Sequence, residues 1–370
     1  MSKAAELAAL IGSQTAQSNR NLLINGGMQV AQRGNTTGHT SGGVYAPDRF
    51  KFNVGSLGTW SISKSTESPA NQGFSNSLKL DCTTTASVSS GSFMLLQQIL
   101  EGQNVQQLKF GTDNAESITF SFWIKSSKTG LVTVEIQHKN TSGDFFLRSS
   151  TFTIDSANTW EKKTITIVGN TAQDIKNDNS ACFYLSYWFS AGSDFNGGTF
   201  NTSAWLDSTG NTNTRVSGSS INFADSTSNE IYITGAQLEV GEQATPFEHR
   251  SFADELARCQ RYYAVRENTT GSLKYYGRTL QAYGAASAFG LIADYPVTMR
   301  ATPTVSQSGT FGAYHANSGN NAMATAIQNL YATSHSWGTG GWSGNSNFTA
   351  GDAVVMYAEN NAKLMADAEL

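Results

Sequence analysis

Two tryptophans near the carboxyl end of the chain stand among residues that could recognise a sugar. Trp337 and Trp342 are separated by glycines and one threonine, and His335 and Asn345 flank them. A flat aromatic face can cover the apolar face of a pyranose, while imidazole and amide groups hydrogen-bond its hydroxyls. The glycines predict a flexible loop over residues 337–345, and the four side chains are candidate sugar contacts. The alternative is that the tryptophans pack on a sister chain or against their own sheet.

Two further tryptophans, Trp123 and Trp160, stand in segments that predict strands. An indole in a strand packs in a core or between sheets more often than it stacks on a sugar, so we expect both to be structural. The run Glu248-His249-Arg250 places an acid, an imidazole and a guanidinium side by side. Because this run stands where the strand-rich region ends, we expect a structural ion-pair cluster there.

No set of residues predicts catalysis or a bound metal. The five histidines share no metal-ligand spacing, and Asp174 and Asp178 crowd one turn without the spacing of a calcium-binding loop. Glycoside hydrolysis needs two carboxylates about 5–10 Å apart, and nothing singles out such a pair. Nucleophile-elbow, phosphate-loop and dinucleotide glycine patterns are absent. We therefore expect no enzyme, no metal site and no cofactor, while structural calcium stays open.

The composition favours β-structure with a weakly charged surface. Charged residues make up 14% of the 370 residues, against roughly 25% in ordinary soluble domains, and serine, threonine, asparagine and glycine take their place. The net charge is −4 without a basic tract, which argues against a nucleic-acid partner. No stretch approaches the roughly 20 apolar residues of a membrane span, so no membrane insertion is expected. A surface of this kind suits neutral ligands such as polysaccharide.

Strand patterns dominate residues 21–247. In the segment 118–125, isoleucine and phenylalanine occupy every even position, and polar residues or Trp123 occupy the odd ones. This period of two predicts a half-buried strand. The same region contains a turn-rich stretch, 191–222, that predicts a long loop. Further strands are predicted at 77–82, 92–99, 131–136, 160–168, 181–189 and 231–240. Many short strands separated by turns predict a β-sandwich or jelly roll.

A short helix is predicted before the sandwich. Residues 2–11 place Leu7, Leu10 and Ile11 on one helical face. About ten residues are too few for an isolated helix in water, so the segment should dock on its own chain, on sister chains or on another protein. We expect residues 1–20 to form an anchor and linker, with these three side chains as candidate anchor contacts.

A second helix is predicted between two β-rich regions. Ser251 and Asp254 form a candidate capping box, and the segment 248–263 is expected to connect the sandwich to a smaller β-rich domain over residues 264–370. Strands are predicted in that domain at 273–283, 286–293, 303–306 and 352–358. The predicted fold class is therefore mainly β, with a short helix at the amino end and one connecting helix.

Several segments of the chain are distinctive when they are taken together. They are NLLINGGMQVAQRG (21–34), DRF (48–50), TFSFWIK (119–125), WEKKTITI (160–167), ITGAQLEVG (233–241), TPFEHR (245–250), ELARCQRYY (255–263) and, more weakly, YPVTMRATP (295–303). With these segments the chain resembles the tail-fibre proteins of short-tailed, T7-like marine phages, including phages of cyanobacteria. The resemblance covers residues 21–263 well and the last hundred residues weakly.

The resemblance implies a sandwich like that of carbohydrate-binding modules, a helix, and a receptor-binding end. It also implies a homotrimer held to phage tail proteins through its amino end. The function expected on this basis is attachment of a virion to host-surface polysaccharide by weak, multivalent contacts. The protein would be made in the host cytoplasm and reside in the virion tail. Two alternatives stay open: a purely structural virion appendage, and a tailspike that depolymerises polysaccharide.

Overall fold

A computed structural model of the chain describes residues 19–218, 221–269, 274–284, 287–315, 321–324, 326–343 and 349–370. The chain divides into two compact units. The first comprises the described residues up to Glu255 together with Leu370, and the second is Leu256–Glu369. The division falls inside the segment 248–263 that was predicted to connect two domains. The predicted amino-terminal helix, with Leu7, Leu10 and Ile11, lies outside the described residues.

The first unit is built from antiparallel strands joined by turns and long loops. Its strands are β1 (Thr36–His39), β2 (Gly42–Tyr45), β3 (Lys51–Gly55), β4 (Thr59–Ser65), β5 (Ser77–Thr84), β6 (Phe93–Glu101), β7 (Ile118–Ser126), β8 (Gly130–Lys139), β9 (Phe145–Ile154), β10 (Glu161–Ile167), β11 (Ala181–Ala191), β12 (Leu206–Asp207) and β13 (Glu230–Val240). Short 3₁₀ helices span Gly102–Asn104, Gln106–Leu108 and Thr212–Thr214, and a four-residue helix α1 spans Ser193–Asn196.

These strands form two sheets. The first sheet has the order β1-β4-β5-β13-β7-β10 and the second the order β12-β9-β8-β11-β6-β3-β2. Aromatic side chains join their inner faces: the ring of Phe122 lies 4.9 Å from that of Tyr187 and 5.1 Å from that of Phe152. One continuous buried cluster contains residues of both sheets. The first unit is therefore a β-sandwich, and the predicted mainly-β class is confirmed.

Strand β7 confirms the predicted alternation. Phe120 and Phe122 are buried in the core between the sheets, whereas Trp123 and Lys125 lie half-buried on the outer face of the first sheet. Successive side chains of a strand point to opposite faces, so one buried face requires this pattern. In strand β13 a bulge between Thr234 and Gln237 resets the alternation.

The long segment predicted as a loop packs on the outer face of the second sheet. Val216 is buried with Trp188 and Leu95 in a small separate cluster. The guanidinium of Arg215 pairs with the buried carboxylate of Glu135 and lies 5.1 Å from the Trp188 ring. Around Arg215 and Val216 this segment therefore covers the outer face of the second sheet.

A helix, α2 (Phe252–Gln260), follows the sandwich. The Ser251 hydroxyl accepts a hydrogen bond from the Asp254 backbone N–H at 3.1 Å and donates one to the Asp254 carboxylate at 2.7 Å. Such a cap satisfies backbone donors that a helix leaves free in its first turn. The predicted helix and its capping pair are confirmed.

The second unit is also built from antiparallel strands. They are β14 (Tyr263–Glu267), β15 (Lys274–Gly284), β16 (Ser287–Asp294), β17 (Thr304–Ser308), β18 (Phe311–His315), β19 (Asn321–Ala324), β20 (Ala326–Ala332), β21 (Ser336–Ser343), β22 (Ala353–Ala358) and β23 (Lys363–Asp367). A three-stranded sheet has the order β14-β23-β17, and a larger one has the order β19-β18-β22-β15-β16-β21-β20.

The predicted flexible loop over residues 337–345 is wrong for the part that the structure describes. Residues 336–343 form strand β21, which pairs with β16 on one side and β20 on the other. The residues described include no helix long and apolar enough to cross a membrane.

Candidate functional site

A groove opens on the outer face of the first sheet, within the first unit. Its volume is about 470 Å³, which lies in the usual range of small-ligand sites. Three strands and two loops supply its walls. We call this site the aromatic groove, and its lining residues are Gln72, Phe74, Ser121, Trp123, Lys162, Gly235, Ala244, Thr245, Pro246, Phe247 and His249.

Three rings in mutual contact form one wall. The ring centroid of Phe74 lies 5.0 Å from that of Phe247 and 5.4 Å from that of His249. The rings of Phe247 and His249 are 4.9 Å apart and nearly perpendicular. Edge-to-face contacts of this kind are favourable by about 0.5–1.5 kcal/mol beyond the area they bury. The cluster therefore joins the loop that carries Phe74 to the segment that follows β13.

A glycine allows this wall to close on Trp123. Gly235 lies in the bulge of β13 with φ of +62°, and a Cβ built there would be 2.6 Å from Phe74 Cζ and 3.1 Å from Trp123 Cδ1. Glycine is the residue that adopts positive φ without steric cost. A larger residue at this position would push the two rings apart, so Gly235 sets the distance between them.

The loop over residues 66–76 is held by two serines. The Ser68 hydroxyl donates to the Phe74 carbonyl at 2.8 Å, and the Ser77 hydroxyl donates to the Glu67 carbonyl at 2.6 Å. Such side-chain bonds replace the strand pairing that a loop lacks. Phe74 therefore lies on a braced loop, which keeps its ring at the groove.

Two buried polar residues of β13 hold the segment that carries Phe247. The Glu239 carboxylate accepts hydrogen bonds from the Thr245 backbone N–H at 2.9 Å and from its hydroxyl at 2.6 Å. The Gln237 side-chain carbonyl accepts from the Glu248 N–H at 2.8 Å. Both Glu239 and Gln237 are almost fully buried, where a hydrogen bond is stronger than in water and an unpaired polar group is costly. The second wall is thus fixed before any ligand arrives.

The polar groups of the groove include hydroxyl, amide, imidazole and ammonium groups. Ser121 contributes a hydroxyl, Gln72 contributes an amide, and Lys162 and His249 are exposed. The Thr245 hydroxyl is already engaged, since it donates to Glu239 and accepts from Arg20. Aspartate and glutamate are absent from the described lining. This arrangement can stack on a flat apolar face and hydrogen-bond its polar edge, which is what recognition of a sugar ring requires.

An ion cluster lies on the same outer face beyond the groove. Lys125 pairs with Glu67 at 2.8 Å, and the Trp160 indole N–H donates to the same carboxylate at 3.3 Å. Burial raises the pKa of Tyr232 to about 12, and the hydrogen bond that its hydroxyl donates to Glu230 acts in the same direction. These side chains satisfy one another, so the ion cluster is structural.

Of the predicted sugar-contact residues in the second unit, the structure describes the side chains of Trp337 and His335. Trp337 is fully buried, with its ring 4.2 Å from that of Tyr295, so its predicted role as a sugar contact is wrong. Strand β21 is paired on both sides, and the Trp337 indole faces the core. This agrees with the alternative prediction, that the tryptophan packs against its own sheet. His335 is exposed, and its Nδ1 lies 2.9 Å from the Ser334 hydroxyl. Asn345 and the side chain of Trp342 lie outside the described residues.

The sequence pattern does not predict the aromatic groove, because it assigns Trp123 to packing. The feature of the sequence that indicates exposure is that Trp123 lies on the polar face of an alternating strand. The prediction for Glu248 and Arg250 is confirmed, since their side chains form an ion pair at 2.9 Å. His249, by contrast, faces the groove rings rather than the ion pairs.

Among the described residues there is no group of three or more histidine, cysteine, aspartate or glutamate side chains placed to hold a metal ion. The cysteines Cys82, Cys182 and Cys259 are buried, and none of the three is in a disulfide bond.

Neither a protein-family model nor a curated protein matches this chain. Solved structures with some likeness include the enzymatically active domain of bacteriophage CBA120 tailspike protein 4, at 14% identity and a TM-score of 0.30, covering 60% of this chain and 21% of that one. A family 22 carbohydrate-binding module of Clostridium thermocellum Xyn10B is similar at 13% identity and a TM-score of 0.29, over 53% of this chain and 89% of that one.

A xylan-binding domain from Paenibacillus barcinonensis Xyn10C is similar at 11% identity and a TM-score of 0.28, over 62% of this chain and 99% of that one. This chain thus spans about a fifth of the tailspike chain and nearly the whole of the xylan-binding domain. TM-scores this low do not define the fold of this chain. Its own strand order and core define it as a two-sheet antiparallel sandwich.

Proposed function

We propose that this protein is an attachment component of a phage virion, of the tail-fibre type, and that the aromatic groove binds polysaccharide on the host surface. The groove is the observation that carries the proposal. It places Trp123 and Phe74 beside hydroxyl and amide groups on a rigid sheet. Aromatic faces with a few fixed polar groups are the usual composition of a site for a small polar ligand.

The braced walls favour binding without a large conformational change. Glu239 and Gln237 hold one loop and Ser68 and Ser77 hold the other. A site that is already ordered loses little side-chain or loop entropy when it binds, which improves affinity. A single shallow groove still makes few contacts, so we expect weak binding at each site.

Several copies on one particle would compensate for weak single sites. We propose a homotrimer whose residues 1–20 attach to phage tail proteins, with the rest of the chain directed towards the host. Linked sites raise the effective concentration of the second and third contacts, so overall affinity can exceed single-site affinity by about 10²–10⁴. Deletion of residues 2–12 should leave a folded protein that no longer joins the particle.

We propose that the groove binds without cleaving. A glycosidase uses two carboxylates about 5–10 Å apart across the scissile bond, and the described lining of the groove contains none. A reducing-end assay on each polysaccharide that the protein binds tests this point. Released sugar would instead favour a depolymerising tailspike.

The central experiment is affinity electrophoresis in gels that contain dextran, mannan, alginate or polygalacturonate. The wild-type protein should be retarded by at least one of them, and Trp123→Ala should abolish the retardation. A matched control is Phe145→Ala, which removes a half-buried ring from the other sheet. Gln72→Ala, at an exposed lining residue, should weaken binding without touching the core.

Thermal melting of each variant separates loss of contact from loss of fold. The proposal fails if none of the polysaccharides retards the wild-type protein, or if folded Trp123→Ala binds as well as wild type. Particles that carry the protein yet show no adsorption defect with Trp123→Ala would favour the purely structural appendage.

A further inference from the structure

We propose that the aromatic groove selects an acidic saccharide, one that carries a carboxylate as a uronic-acid unit does. The inference rests on the proposed function, because it names the class of sugar bound at the same site. It also differs from the expectation drawn from composition, since a chain with few charged residues suggests a neutral ligand. The local arrangement of charge, rather than the total, decides the chemistry of a site.

The ionisable side chains that line the groove are a lysine and a histidine. Lys162 brings a positive charge and His249 brings a ring N–H donor, and the described lining contains no carboxylate. The chain as a whole has a net charge of −4, so a groove lined by a cation is a local departure from the rest. At physiological salt, charges further away than about 8–10 Å are largely screened, so the net charge of the whole chain has little effect at the groove.

The strand order places the lysine beside the ring on which a sugar would stack. Lys162 in β10 pairs directly with Trp123 in β7, and on the other side Trp123 pairs with Thr234 in β13, next to Gly235. Residues directly opposite each other on one sheet face have Cβ atoms about 4.5–5.5 Å apart. A pyranose over the Trp123 indole would therefore present its edge substituents within reach of the lysine.

The ammonium group of Lys162 is available for a ligand. Its sequence neighbour Lys163 is engaged with Asp155 at 2.7 Å and Glu161 at 2.5 Å, and Lys125 is engaged with Glu67. Across the described residues, no carboxylate lies within ion-pair distance of Lys162. Lys162 is exposed beside an aromatic wall, whereas Lys125 on the same face and Lys163 on the opposite face of the sheet are paired. An unpaired lysine at this place matches a carboxylate that comes from outside the chain.

The test compares two polymers that differ in charge and share a backbone, polygalacturonate and its fully methyl-esterified form. We expect the wild-type protein to bind the acid form about two- to fivefold more tightly than the ester, because a single solvent-exposed ion pair contributes little. Lys162→Gln should remove that preference. Lys64→Gln is the matched control, because Lys64 is exposed on strand β4 of the same sheet, outside the groove.

Raising the salt concentration to about 0.5 M should reduce the preference for the acid form in the wild-type protein, because salt screens the charge.

Equal binding of the acid and the ester, with both lost in Trp123→Ala, would overturn the acidic selectivity and leave the proposed function standing. Binding of dextran or mannan, with neither form of polygalacturonate bound, would have the same consequence. A preference that survives in Lys162→Gln would also overturn the inference. Failure of every polysaccharide, acidic and neutral, would overturn the proposed function itself.

Discussion

The Nε2 atom of His138 lies 3.0 Å from the side-chain nitrogen of Asn170 inside the first unit. The Asn170 side-chain oxygen already accepts hydrogen bonds from the backbone N–H groups of Ala172 and Gln173. The amide nitrogen must therefore donate to His138, which places the imidazole proton on Nδ1. A second proton on the ring would set one donor against another, so this histidine is held neutral.

We predict that the first unit loses stability in mild acid because of His138. Burial lowers the pKa of His138 from 6.5 to about 4. Between these two values the unfolded chain binds a proton that the folded chain does not, so stability is full above pH 6.5 and falls as the pH falls. Integrated over the window, the loss in unfolding free energy is of the order of 3 kcal/mol. Denaturant unfolding at intervals from pH 7 to pH 4 measures it.

His138→Gln is the matched variant for this prediction, since glutamine keeps an acceptor for Asn170 and does not titrate. It should be less stable than wild type at pH 7 and show a flatter dependence on pH. An unchanged slope would assign the acid sensitivity to other groups.

We predict that Arg250→Met costs about 3–5 kcal/mol of stability, because removal of one partner leaves buried charge uncompensated. Arg250 pairs with Glu248 and Glu255, each at 2.9 Å, and its side chain is 8% exposed. It also donates to the carbonyl of Leu23 at 3.0 Å, so it ties the first residues of the sandwich to the last. Chemical denaturation gives the free energy.

Lys109→Met serves as the control for Arg250. It breaks a 2.6 Å pair with Glu116 in which the lysine is 53% exposed, and exposed pairs contribute about 0–1 kcal/mol. Similar losses in the two variants would show that burial does not set the strength of the Arg250 ion pairs.

We predict that Thr245→Val weakens both stability and saccharide binding. Glu239 loses the hydroxyl that donates to it at 2.6 Å, which costs about 1–3 kcal/mol, and the wall that carries Phe247 loosens. Thr83→Val, at an exposed threonine whose hydroxyl donates to the Thr59 carbonyl, should change stability by less than about 0.5 kcal/mol. Unfolding and affinity electrophoresis measure the two effects. Wild-type affinity in folded Thr245→Val would count against a positioning role for Glu239.

We predict that Trp337→Ala destabilises the second unit by about 3–5 kcal/mol, because it leaves a cavity in a packed core. Trp337 is buried with Met356 and Leu364 in the core of that unit. Hydrogen exchange should rise in β22, whereas β7 of the first unit keeps its protection. Trp337→Phe should recover part of the loss. Unchanged exchange with weakened polysaccharide binding would restore the surface role that the sequence suggested.

Much of the sandwich could be predicted because strand alternation is a local property. The side chains of β7 divide between core and outer face as the sequence pattern indicates, since successive residues of an extended chain point to opposite sides. The capped helix was predictable for the same reason: Ser251 and Asp254 are three residues apart, and the Ser251 hydroxyl accepts from the backbone N–H of Asp254 in its own turn. Composition added the mainly-β class.

The aromatic groove was decided by tertiary structure. Phe74, Trp123 and Gly235 come from segments far apart in the chain, and only the strand order β5-β13-β7-β10 brings them together. A periodic pattern shows which face a residue takes but not which strand becomes its neighbour. Trp337 illustrates the same limit, because a glycine-rich segment became a buried strand once β16 and β20 supplied its hydrogen-bond partners. The preference of glycine for loops was overridden by hydrogen bonds between strands, which depend on segments elsewhere in the chain.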